Sequence, residues 1–112
     1  MKIQLFLKLH QLAALHELTN KLYDLDFLTL ESQEKVAVSI GLILADKFDK
    51  KIKTIQKKLN FFDPNKDIKF TFDFFEAWAL KKICIQLIGT SDSDFNKLNI
   101  QVIINKLDQE RC

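Results

Sequence analysis

The chain has 112 residues, 47% of them hydrophobic and ten of them Phe, enough for one buried core without metal or disulfide support. Two Gly and one Pro argue against a loop-rich all-β design, and two Cys fall short of a disulfide framework. A net charge of +2 is nearly neutral, so no strong electrostatic commitment to nucleic acid or membrane follows from it.

The opening stretch MKIQLFLKLHQLAAL is broken by Gln4, Lys8 and His10, so it does not read as a signal peptide. No apolar run approaches the ~20 residues of a membrane span. The expectation is a soluble, cytoplasmic protein with no membrane association.

Ile3, Leu5, Leu7 and Leu9 alternate with Lys2, Gln4 and Lys8, with Phe6 as the irregular member. A period of two predicts a half-buried strand. Leu, Gln and Lys also form helices well, so the alternative is the opening turns of a helix, and with it an all-α helical bundle. The period then lengthens: Leu12, Leu15, Leu18, Leu22 and Leu25 lie on one helical face. A second helix is predicted from Thr29 or Ser32, about thirty residues long, carrying Val36, Ile40, Ile43, Leu44, Phe48, Ile52, Ile55 and Leu59. Gly41 in its middle either admits a close neighbour or weakens the helix.

Phe61-Phe62-Asp63-Pro64-Asn65 predicts a turn between two halves. Beyond it Ile68, Phe70, Phe72 and Phe74 alternate with Asp67, Lys69, Thr71 and Asp73, a second strand. A third helix follows with Ala77, Leu80, Ile83, Cys84 and Leu87 inward. Asp73 and Glu76 form a capping-box pattern at its start, and Gly89 is placed to stop it. A shorter fourth helix, capped by Ser91 or Ser93, carries Phe95, Leu98, Val102, Ile103 and Leu107.

The two halves, 1–62 and 66–112, overlay. Ile3–Tyr23 lies on Ile68–Ile88 with Ile3, Ala14, Leu15 and Leu22 meeting Ile68, Ala79, Leu80 and Leu87 as identities. A lone strand in each half leaves its backbone groups unpaired, which residues 2–8 and 67–73 resolve by pairing antiparallel. The expected fold is therefore α+β, predominantly helical: one domain of duplicated strand-helix-helix units, with a two-stranded antiparallel ribbon packed on four helices. Its two outer edges would stay open to a further strand.

Two surfaces invite a function. Six Lys stand between Lys47 and Lys58 against one acid, Asp49. Lys50, Lys53, Lys57 and Lys58 fall opposite the apolar face, as either a solvated flank or an anionic contact. On the third helix, Phe74, Trp78 and Ile85 form a second apolar stripe broken by Lys81, and Phe61, Phe62 and Phe75 extend it. A helix apolar on two sides is deeply buried or holds a partner.

Chemistry is poorly represented. His10 and His16 point to different sides of a helix, unlike the pair of a helical metal site, and neither HExxH nor CxxC occurs. Cys84 sits in an apolar run, and two Gly cannot build a phosphate loop. No catalytic residue, metal, cofactor or small-molecule substrate is expected.

Strand–helix–helix order resembles the unit of ribbon-helix-helix transcription factors, two of which would be fused here. The resemblance implies a ribbon inserted into DNA with Lys2, Gln4, Phe6 and Lys8 outward alongside Lys69, Thr71 and Asp73. Gln4, Lys69 and Thr71 suit base edges. Phe6, Asp73 and the acids opening each second helix depart from the pattern. The leading expectation is a non-enzymatic protein-interaction module that self-associates, as a homodimer, through Phe74, Phe75, Trp78 and Ile85. The alternative is a DNA- or RNA-binding protein using Lys2, Gln4, Lys69 and Thr71 of the ribbon or Lys50, Lys53, Lys57 and Lys58 of the helix.

Overall fold

A computed structural model of the chain describes residues 2–58, 65–110 and 112, with the backbone alone of residue 27. Leu59 and the Phe61-Phe62-Asp63-Pro64 part of the expected turn lie outside the described residues. The chain is mostly helical. In order come strand β1 (Lys2–Leu7), helix α1 (Leu9–Asn20), helix α2 (Ser32–Lys57), strand β2 (Ile68–Asp73), helix α3 (Phe74–Leu87) and helix α4 (Asp94–Gln109).

β1 pairs antiparallel with β2 in the register that places Lys2 opposite Asp73 and Leu7 opposite Ile68. The alternation in the sequence becomes a division of faces: Ile3, Leu5, Leu7, Ile68, Phe70 and Phe72 are buried, and Gln4, Phe6, Lys69 and Thr71 are exposed. The opening residues are thus strand rather than helix, and the all-α alternative falls. All four helices contribute to the core that the ribbon covers, through Leu12 and Leu15, Leu44 and Phe48, Leu80 and Cys84, Ile103 and Leu107. α2 and α4 each pack against both α1 and α3.

The ribbon-to-helix corners share one device. At α1 the Lys8 amide donates to Gln11 Oε1 at 2.9 Å, and at α3 the Asp73 amide donates to Glu76 Oε1 at 2.8 Å. Each satisfies a backbone donor that the strand has just released. Ser93 caps α4, its Oγ accepting from the Asn96 amide at 3.1 Å.

Several inward assignments shift. α1 ends at Asn20 and the chain tightens into a 3₁₀ turn, Lys21–Asp24, so Leu25 leaves the helical face and is 39% exposed. On α2, Val36 and Ile43 point outward, while Ala37, Val38, Gly41 and Ala45 take the contact with the other helices. At Gly41 the approach of Ile83 of α3 leaves no room for a side chain, while Val38 shows that a branched residue is still accepted nearby. Phe95 and Leu98 of α4 are likewise exposed, and Ile100 and Ile104 are buried instead. Gly89 is not a left-handed stop: α3 ends through another 3₁₀ turn, Ile88–Thr90.

Asn99 of α4 is 5% exposed, and its side-chain Nδ2 finds no acceptor among the described residues. A buried donor without a partner costs about 1–3 kcal/mol. Asn99→Leu, which keeps the branching and heavy-atom count but removes the unpaired donor, is therefore expected to raise the unfolding free energy by about 1 kcal/mol, read as a higher urea midpoint at unchanged slope.

Candidate functional site

The interface candidates stand on α3 where the sequence places them. Neighbouring helices take Ala77, Ala79, Leu80, Ile83 and Cys84, leaving one outward arc. That arc is mostly apolar: Phe74 is 44% exposed, Phe75 55% and Ile85 52%, with Trp78 half-buried between them. Lys81 interrupts the stripe in sequence, yet its ammonium is drawn aside. It donates to Asp108 Oδ1 at 2.7 Å and to the Cys112 carbonyl at 2.8 Å on the α4 side. What remains beside Trp78 and Ile85 is a groove of about 350 Å³, walled by Lys81, Lys82, Gln86 and Cys112. Phe61 and Phe62, the expected extension of this patch, lie outside the described residues.

The nucleic-acid candidates divide. At the ends of the ribbon, charges are paired: Lys2 Nζ meets Asp73 Oδ1 at 2.5 Å, and Lys8 Nζ meets Asp67 Oδ1 at 2.7 Å. Hydrogen bonding to these lysines holds both carboxyls below the usual Asp range, and the Asp73 carboxylate in turn raises Lys2. Gln4, Phe6, Lys69 and Thr71 fill the outer face between those pairs.

On α2, Lys53 is held by Asp49 at 2.9 Å, and the same carboxylate accepts from His16 at 3.1 Å. Both neighbours lower the Asp49 pKa, Lys53 first. Lys57 and Lys58 are exposed at the end of the helix. Lys50 sits elsewhere: with Lys47, Lys51, Thr54, Lys69 and Thr71 it lines a groove of about 420 Å³ between α2 and β2. One ribbon lysine and one helix lysine from separate candidate sets therefore share a site.

Neither outer edge of the ribbon carries a further strand among the described residues, and a lysine reaches one carbonyl on each. Lys47 of α2 donates from Nζ to the Thr71 carbonyl at 3.2 Å on the β2 side, its ammonium 4.9 Å from the Phe72 ring centroid. Lys106 of α4 donates to the Phe6 carbonyl at 2.6 Å on the β1 side. A lysine ammonium on one carbonyl of each edge disfavours the docking of another strand. Sequence pattern gives no sign of Lys106, since the contact spans a hundred positions of chain.

A third recess, about 330 Å³, lies between α2, α3 and the turns that follow α1. Leu22, Leu25, Leu30, Val38, Ile83 and Leu87 line it, with Glu34 and Gln86 as its polar members. Leu25, displaced from the helical face, finds its place here.

Cys84 is fully buried, which pushes its thiol up to about 12, so it is held protonated. His10 packs on Phe95 with ring centroids 5.7 Å apart, and His16 is committed to Asp49. Among the described residues no group of His, Cys, Asp and Glu is arranged to hold a metal ion, and no helix is long and apolar enough to cross a membrane. No protein-family model, curated protein or solved structure matches the chain.

Proposed function

We propose that this protein is a non-enzymatic interaction module, built from a duplicated strand-helix-helix unit, that self-associates through the outer arc of α3. The observation that carries the reading is the exposure of Phe74, Phe75 and Ile85 around a half-buried Trp78 on a single helix. Large apolar side chains clustered at a surface mark a contact, and aromatics anchor most such contacts. A second copy is the fitting occupant, because this face holds both projecting rings and a receiving groove. In a twofold pair, Phe75 of each copy enters the groove beside Trp78 and Ile85 of the other.

Equivalent positions support duplication. The corner bonds at Gln11 and Glu76 fall on matching residues of the two overlaid segments, as do the edge carbonyls of Phe6 and Thr71. Each edge lysine comes from the second helix of the opposite half, as a pseudo-twofold axis requires.

Light scattering coupled to size exclusion tests the association. Wild type is expected as a dimer, and Trp78→Lys and Ile85→Lys as monomers with unchanged helical circular dichroism. Ile85→Lys guards against misfolding, since that side chain is half outside already. A monomeric wild type at all concentrations sinks the proposal, and so does a dimer that survives both substitutions.

A further inference from the structure

The groove between α2 and β2 gathers four lysines and no acid in its lining. Lys47, Lys50, Lys51 and Lys69 line it. Lys50 alone of these four has an ion pair, with Asp46 at 2.9 Å. Lys47 directs its ammonium to a neutral carbonyl and a ring face, with the Asp73 carboxylate as a more distant counter-charge. Like charges gathered in one concavity are a standing attraction for an anion of matching length, because field lines focus there.

The groove opens onto the outer face of the ribbon. Its Lys69 is the register partner of Phe6, which is 46% exposed on that same face. Directly opposed residues on one face stand ~5 Å apart at Cβ, so a cation and a free aromatic ring adjoin. A linear polyanion that also carries flat apolar groups would satisfy both at once: phosphates along the lysines, a base on Phe6.

We propose that this groove binds a single-stranded nucleic acid, with its phosphodiester backbone along Lys47, Lys50, Lys51 and Lys69 and one base stacked on Phe6. A duplex fits less well. Its bases hide their π faces, and the ion pairs Lys2–Asp73 and Lys8–Asp67 cancel the charge at both ends of the ribbon. Lysines without forked donors hold a backbone without reading sequence. This site is separate from the α3 arc and does not depend on self-association.

Fluorescence anisotropy with a labelled thymidine oligonucleotide and the full chain tests it. Binding at low salt is expected to weaken as salt rises, with a log–log slope of about −2 to −3 for three or four phosphates. Lys51→Glu with Lys69→Glu is expected to cut affinity at least ~tenfold and to flatten that slope. Phe6→Thr keeps a strand-forming residue but removes the ring, and is expected to cost about tenfold at unchanged slope. Circular dichroism of each variant must match wild type for the comparison to count, and Lys97→Glu, on exposed α4 surface, serves as the charge control. Three outcomes overturn the proposal. One is no anisotropy change at low salt. Another is equal affinity for a hairpin duplex with no effect of Phe6→Thr. The last is co-sedimentation with phosphatidylserine vesicles while the oligonucleotide stays free.

Discussion

Phe48→Ala is expected to lower the unfolding free energy by about 3–5 kcal/mol, which is a large part of the ~5–15 kcal/mol available to a domain of this size. Phe48 is 0% exposed and stands under the ribbon, edge-on to Phe70 at 5.4 Å and to Phe72 at 6.3 Å between centroids. Phe70 and Phe72 lie nearly parallel to one another, so the ring of Phe48 is the wedge that fixes both. Its removal leaves a cavity that two strands tied by only one ladder cannot collapse to fill. The loss also reaches the surface, because Lys47 rests over Phe72 and guards the adjacent edge carbonyl. Urea denaturation followed by circular dichroism gives the midpoint shift; a loss under about 1 kcal/mol would mean that the aromatic cluster is not the centre of the core.

Gly41→Val is the second large effect, and it works by excess volume. A Cβ at residue 41 would come 2.3 Å from Ile83 Cδ1 and 2.6 Å from Leu22 Cδ1. Those methyls end side chains 1% and 3% exposed, which must rotate toward the recess that both line or push the helices apart. Overpacking of this kind, relieved by side-chain rotation or a small shift of α2 from α3, costs about 1–3 kcal/mol. Gly89→Ala is the matched control. Nothing lies within 4 Å of its Cβ position and its backbone is not left-handed, so that change is expected to be neutral or slightly stabilising. Thermal melts of the two variants should move in opposite directions or differ by several degrees.

The ribbon was the most legible part of this chain. Alternation of Ile68, Phe70 and Phe72 with Lys69, Thr71 and Asp73 gave both the strand and its buried face, and the need to pair two lone strands gave the antiparallel partner. Helix faces were harder. Val36, Ile43, Phe95 and Leu98 satisfy a helical period, yet all four point to solvent. Periodicity counts apolar residues without asking how near the neighbouring helix comes, and here Ala37, Gly41 and Ala45 permit the close contact. Gly41 was legible as one of two alternatives, and the contact with Ile83 and Leu22 selects close approach.

Of the candidate surfaces, the α3 arc was legible as one of two alternatives, burial or an outward face, and the exposure of Phe74, Phe75 and Ile85 selects the outward face. The lysine groove was not legible. It is assembled from α2 and β2, and Lys47 and Lys51 count in sequence only as members of a run. Its composition was visible there and its concavity was not. The edge-guarding role of Lys106 had no local signal, since a single lysine near the end of an amphipathic helix is ordinary.

The strand pairing also sets a schedule for the nascent polypeptide. β1 is made first, but its hydrogen-bonding partner is β2, dozens of residues downstream. At ordinary translation rates of ~5–20 residues per second, Ile3, Leu5 and Leu7 wait several seconds before the opposite rung of the ladder exists. Long-range pairing of this kind slows folding through loop closure, and it leaves a sticky half-ribbon during synthesis. Lys2, Gln4 and Lys8, interleaved with those apolar residues, keep the early segment hydrated until its mate arrives.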